Sequence, residues 1–192
     1  MMKTRSFLFL FVLLSFVTFS KAQSNPDDAA IKKSLTGFVN SIKEKKIEQG
    51  VNHIYPKFFT IIPKEQMVQI LTMTYNNPFM KIDMSNLRFG NIEKPEKIGN
   101  EYFALAPYFF SLRCNVSSIN DDMKKKIGAA FTQKYGKNNV KYLANESTYL
   151  VHANMRACAV SQDRKSWKFV ILEKEYKSQL VKVLPKKILD KI

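Results

Sequence analysis

The chain is poor in the residues that most often staple small folds or carry chemistry. It holds two cysteines, two histidines and one tryptophan among 192 residues. Two cysteines, Cys114 and Cys158, are too few for a disulfide-dense scaffold. His53 and His152 stand at no ligand spacing from either cysteine, so no set of three or four zinc ligands can be drawn, and no metal is expected. The six glycines are scattered. None opens a phosphate-cradling loop, no Gly-x-Ser-x-Gly elbow occurs, and no pattern calls for a cofactor. Carboxylates are also scarce, 16 against 31 Lys and Arg, for a formal charge of +15. After the first two dozen residues no apolar run reaches the roughly 20 residues that a bilayer span needs. Internal repeats, low-complexity linkers and a second domain boundary are absent.

What is present begins with an address. Lys3 and Arg5 precede an apolar stretch from Phe7 to Phe19, and Ser20 and Ala22 put small residues ahead of Gln23. This is the pattern of a secretory signal peptide over residues 1–22. It implies a periplasmic or secreted protein of residues 23–192, with no transmembrane segment once the signal is removed and no cysteine near the cut to take a lipid. That length fits one domain with a sizeable core. Losing Lys3, Arg5 and Lys21 lowers the charge from +15 to +12. An excess of this size favours anionic partners such as acidic glycans or lipid headgroups; nucleic acid is not expected for an exported chain. A well-solvated basic surface explains the charge equally well, because only Lys124-Lys125-Lys126 form a run.

Periodicity divides the rest. Asn25-Pro26-Asp27-Asp28 is a helix start, and Ile31, Leu35, Phe38, Val39 and Ile42 recur at helical spacing, with Gly50 as the stop. A second helix follows Pro63, with Met67, Ile70, Leu71 and Thr74 as its inner stripe, and ends before Pro78. Leu87 and Phe89 alternate with polar neighbours, and residues 94–97 read as a turn. From Glu101 to Val116 one strand face is Tyr102, Ala104, Ala106, Tyr108, Phe110, Leu112, Cys114 and Val116, and the other is mixed. Pro107 there implies an edge or a bulge. Asn120 caps a third helix with Met123, Ile127, Ala130, Phe131 and Lys134 inward. A long hairpin over 144–175 follows. In it Tyr149, Val151, Ala153, Met155, Ala157 and Ala159 alternate with Leu150, His152, Asn154, Arg156, Cys158 and Val160, a turn spans 161–166, and Trp167 to Leu172 pair back. A short terminal helix begins near Pro185. Helices segregated against a mainly antiparallel sheet are the α+β class.

This order of elements, with the late strand Ser166-Trp167-Lys168-Phe169-Val170, resembles the nuclear transport factor two-like superfamily over residues 27 to about 173. The resemblance implies amino-terminal helices packed on a curved, cone-like antiparallel sheet, a conical cavity, and frequent homodimers. Enzymes of the isomerase, dehydratase and cyclase type share that fold with pure binders. The isomerase-like members use an aspartate base with a tyrosine inside the cavity. Here the cavity side offers Tyr102, Tyr108 and Tyr149 but no aspartate, since Asp83, Asp121, Asp122 and Asp163 read as turn and cap residues.

The leading expectation is therefore a non-catalytic binding domain. It would hold a small amphipathic molecule or a protein partner against Tyr102, Tyr108, Tyr149, Met155 and Trp167, unless those side chains simply fill the core. An enzyme of the same superfamily, or a basic envelope protein binding anionic glycan or lipid, are the alternatives. A second candidate surface is the polar strand face of Arg113, His152, Asn154 and Arg156, which could grip a carboxylate or phosphate, or face solvent or a second subunit. Cys114 and Cys158 fall on unlike strand faces. They bridge only if a bulge turns one of them, and are otherwise two buried thiols.

Overall fold

The computed structural model describes residues 25–173 and 176–191. The expected signal peptide and its cut before Gln23 lie outside the described residues. Asn25 caps the first helix, its side-chain oxygen accepting from the Asp27 N–H at 3.2 Å with Pro26 in the first helical position. Helix α1 (Pro26–Lys43) buries Ile31, Leu35, Val39 and Ile42. It does not run to Gly50. Lys45 takes a left-handed φ of 61° and turns the chain directly into α2 (Ile47–Val51). Gly50 lies inside α2, where a Cβ would stand 3.2 Å from Ile42 Cδ1. It serves close packing of α2 on α1 rather than a helix stop.

Helix α3 (Lys64–Tyr75) follows Pro63. Its inner stripe is Met67, Val68, Leu71 and Tyr75. Ile70 and Thr74 point outward, Ile70 at 43% exposure. Helix α4 (Asp121–Tyr135) is capped by Asn120, which accepts from the Met123 N–H at 2.9 Å. Its half-buried residues are Ile127, Phe131 and Tyr135, whereas Met123 and Ala130 face solvent.

The sheet is six-stranded, antiparallel and curved, which makes the fold α+β. Its strands are β1 (Lys81–Phe89), β2 (Glu96–Ile98), β3 (Glu101–Asn115), β4 (Val140–Leu143), β5 (Thr148–Ser161) and β6 (Lys168–Ile171). β3 and β5 pair along nearly their whole length, from Tyr102↔Ser161 to Asn115↔Thr148. β1 and β2 flank β3, and β4 and β6 flank β5. Sequence reading leaves out β2 and β4, for which it gives a turn and no element. β2 is charged and β4 is short; both are edge strands defined by the neighbour they pair with more than by their own pattern.

Pro107 lies in the central strand β3, not at an edge. Its carbonyl accepts from the Gly90 N–H at 2.9 Å, so its missing N–H faces the side where β1 has already ended at Phe89. The irregularity belongs to β1: the register shifts between Ser85 and Arg88, with Asn86 at φ 55°.

One face of the sheet has alanines at one end. Ala104, Ala106, Ala157 and Ala159 let α1 approach closely, and Ile31, Leu35, Trp167 and Phe169 complete that core. At the other end α4 packs over Tyr149. The opposite face is apolar at one end, where Phe103, Leu105, Cys158, Val160 and Val170 are buried. The tail, with α5 (Lys177–Leu180) and α6 (Lys186–Leu189), covers them with Leu180, Val183, Leu184, Ile188 and Leu189. Ion pairs Lys187–Glu96 and Lys191–Glu93 hold this tail at the sheet's edge.

Cys114 and Cys158 are free and buried. Cys114 stands opposite Tyr149 and Cys158 opposite Leu105 in the β3–β5 register. They are thus on opposite faces and about 30 Å apart along the sheet. The bridged alternative is excluded by that separation. Burial pushes the Cys114 thiol up to about 11 and the Cys158 thiol to about 12.

Candidate functional site

The middle of the α1/α4 face is lined by aromatic and methionine side chains. Tyr108 and Phe110 stack there at 6.1 Å with their rings 16° from parallel. Met155 lies directly across from Tyr108 on β5. Helices α3 and α4 bring apolar stripes to the same core, yet neither contains a single buried residue. A surface groove of about 400 Å³ opens beside them, between the α3–β1 connection and the first half of α4. Phe79, Met80, Ile119, Met123 and Ile127 line it. Its size falls within the range of small-molecule sites.

Beyond the last residue of β6 the chain keeps its alternation. Ile171 pairs with Ala157, and the Leu172 N–H donates to the Arg156 carbonyl at 2.9 Å. Glu173 therefore falls on the α1/α4 side, next to Met155. Its carboxylate accepts from Lys134 Nζ of α4 at 2.7 Å and is mostly shielded from water. Tyr75 from the end of α3, Tyr135 from the end of α4 and Tyr108 from the floor all feel this carboxylate. Burial is the main cause that raises all three phenols, Tyr75 and Tyr135 to about 12; the Glu173 charge adds to it. The arrangement is one carboxylate, one ammonium and three protonated phenols around an apolar floor. It can donate hydrogen bonds to a carbonyl or ether, and accept one from a hydroxyl or amine.

The residues expected from sequence do not all meet here. Tyr108 and Met155 do. Tyr149 is about 20 Å farther along the strands, and its hydroxyl is already committed, donating to the Lys124 carbonyl at 3.0 Å. Phe131 packs edge-on against the Tyr149 ring at 5.9 Å. Trp167 is buried in the α1 core, its indole N–H donating to the Arg164 carbonyl at 3.2 Å. Tyr102 lies at that same end, with the Arg164 guanidinium 5.6 Å from its ring centre. Sequence reasoning missed Glu173, Tyr75 and Tyr135. Glu173 was legible in principle: one more step of the Phe169–Ile171 alternation puts it on the same face.

The polar strand face is real as a surface. Arg113, His152, Asn154 and Arg156 all lie on the side away from α1 and α4. His152 Nδ1 is 3.4 Å from Ser111 Oγ. Arg113 pairs with Glu146, and Arg156 donates to the Lys191 carbonyl at 3.2 Å. Among the described residues no group of three or more His, Cys, Asp and Glu could hold a metal ion. No helix among them is long and apolar enough to cross a membrane. In comparisons with known proteins, the chain matches no family model and no curated protein.

Proposed function

We propose that the protein is an exported member of the nuclear transport factor two-like superfamily. In this reading it binds a small amphipathic molecule between α3, α4 and the middle of the sheet. The observation that supports the reading is Glu173 acting electrostatically on Tyr75, Tyr108 and Tyr135, with the apolar groove of Met80 and Ile127 beside α3 and α4. The apolar part of the ligand would lie against Phe110, Met155 and the groove of Met80 and Ile127, and its polar head at Glu173. The basic start, apolar run and small residues of positions 1–22 support export, and the order of helices and long late strands supports the superfamily.

Titration with N-phenyl-1-naphthylamine, a fluorescent amphipath bearing one N–H, tests the binding. A saturable rise in emission that Glu173→Gln and Tyr135→Phe each weaken supports the assignment. Emission that does not saturate, or that both variants leave unchanged, rejects it.

A second reading has one observation in its favour. A carboxylate beside protonated tyrosines in a poorly hydrated site is what proton abstraction next to a carbonyl requires. In that case the protein would speed deuterium uptake from heavy water into cyclohexanone, and Glu173→Gln would abolish the effect. No acceleration over buffer removes the enzymatic reading and leaves the binding one standing.

A further inference from the structure

We propose that the uncovered half of the outer sheet face binds an acidic polysaccharide. This site shares no residue with the α3–α4 cleft and does not depend on it. The tail covers only one end of this face. The exposed remainder centres on half-buried Phe109, with Asn154 directly across on β5 and Arg88 directly across on β1. The next pair along is Ser111 and His152, and on the other side Arg156 lies opposite Pro107.

The position of Arg88 is the strongest sign of a built surface. Up to Ser85, which pairs with Ser111, β1 keeps a regular register. Continued without a break, it would set Arg88 opposite Tyr108, on the apolar side of the sheet. The bulge at Asn86, with its left-handed backbone, adds one residue; Arg88 then pairs with Phe109 and points outward. Bulges are used to re-aim a side chain in this way.

The charges on this face are unequal. Arg113 is matched by Glu146 and stands opposite Asp83. Arg88 and Arg156 have no carboxylate partner among the described residues, and Lys141 on β4 adds a third unmatched cation at the margin. From the register, the Arg88 and Arg156 backbones are about 12 Å apart with Phe109 between them. Two guanidinium forks can thus reach carboxylates on one short stretch of chain. The Phe109 ring offers an apolar surface for the C–H face of a sugar, and Ser111, Asn154 and His152 offer hydrogen bonds to its hydroxyls.

A second copy of the chain fits this face poorly, since a two-fold contact here would bring Arg88, Arg156 and His152 towards their own equivalents. A lipid surface fits poorly too, because the exposed large apolar side chains Met73, Phe79 and Met123 lie elsewhere.

The test is binding of the purified protein to polygalacturonate at about 150 mM salt, where diffuse surface attraction is largely screened. Neutral dextran, single-stranded oligo(dT) and phosphatidylglycerol vesicles are the comparison probes. We expect saturable binding to polygalacturonate. Arg88→Ala and Arg156→Ala should each weaken it about tenfold or more, the loss of a charge-assisted hydrogen bond. Phe109→Leu, which keeps the bulk but removes the ring, should weaken it measurably. Lys125→Ala with Lys126→Ala, on α4, should leave it unchanged. A melting curve for each variant separates loss of binding from loss of fold. The proposal is overturned by no binding to polygalacturonate or by equal loss in the α4 lysine variant. Preference for oligo(dT) or the vesicles, or a concentration-dependent dimer that Arg88→Ala breaks, also overturns it.

Discussion

Gly128 leaves no room for a methyl group on the inner side of α4. A Cβ there would fall 2.5 Å from the Tyr149 hydroxyl and 2.8 Å from its ring. Gly128→Ala should therefore destabilise by about 1–3 kcal/mol by overpacking, despite alanine's better helix propensity. Thermal or urea unfolding reads this directly. Tyr75 and Tyr135 make a second prediction. Their phenols titrate near 12 in the fold and near 10 in the unfolded chain. The folded state holds those protons longer, so the stability they confer is complete below pH 10 and is lost as the pH rises towards 12. Absorbance titration near 295 nm should show these phenolates appearing together with unfolding, and Tyr135→Phe should flatten the alkaline loss. At this scale the sequence was only partly legible. Strand alternation places Tyr108, Met155, His152 and Arg156 on their correct faces. It cannot say that the Tyr149 hydroxyl is spent on Lys124, because that depends on where α4 comes to rest.

Elements read well where they are long and periodic, and poorly where a neighbour defines them. α1, β3 and β5 stand out from their own residues. β2 and β4 exist because β3 and β5 supply a partner edge. The inner stripe of α3 is rotated from the expected one, with Val68 and Tyr75 in place of Ile70 and Thr74, because both sides of that helix carry apolar residues. The short helix expected near Pro185 is present as α6, whereas α5 and the packing of the whole tail on the sheet are not read from the sequence. Leu184, between the two short helices of the tail, and Ile188 of α6 are buried in one cluster with Cys158, which makes Cys158 a reporter of the tail's attachment. Leu184→Ala should cost about 2–5 kcal/mol. It should also raise the rate at which Cys158 reacts with a thiol reagent at pH 8, while Cys114, under the opposite face, responds only to global unfolding. Equal acceleration of both thiols would mean that the tail does not detach separately from the sheet.

For the whole molecule, the balance of +15 is a repulsive load on the compact state. Pairs such as Lys46 with Glu44, exposed on both sides, contribute little against it, whereas Arg164 with the buried Asp27 is a pair partly shielded from water. Moderate salt should then raise the melting temperature by screening repulsion among the excess cations. A fall in melting temperature between about 20 and 300 mM sodium chloride would instead show that the attractive pairs outweigh the repulsion. Composition makes this scale legible without coordinates. The division of the sheet into a sealed end and an open end on each face is not legible that way, because it follows from where α1, α4 and the tail happen to stop.

The strip that seals the outer face follows, in the chain, every strand that it covers. When β5 and β6 have left the ribosome, Phe103, Leu105, Val160 and Val170 still lack their cover, and the residues that supply it, Leu180 to Leu189, remain within or near the exit tunnel. A growing chain thus carries an exposed apolar stripe until residues 180–189 have themselves emerged. The order of synthesis leaves the outer half of this core to be closed only after the sheet itself has emerged.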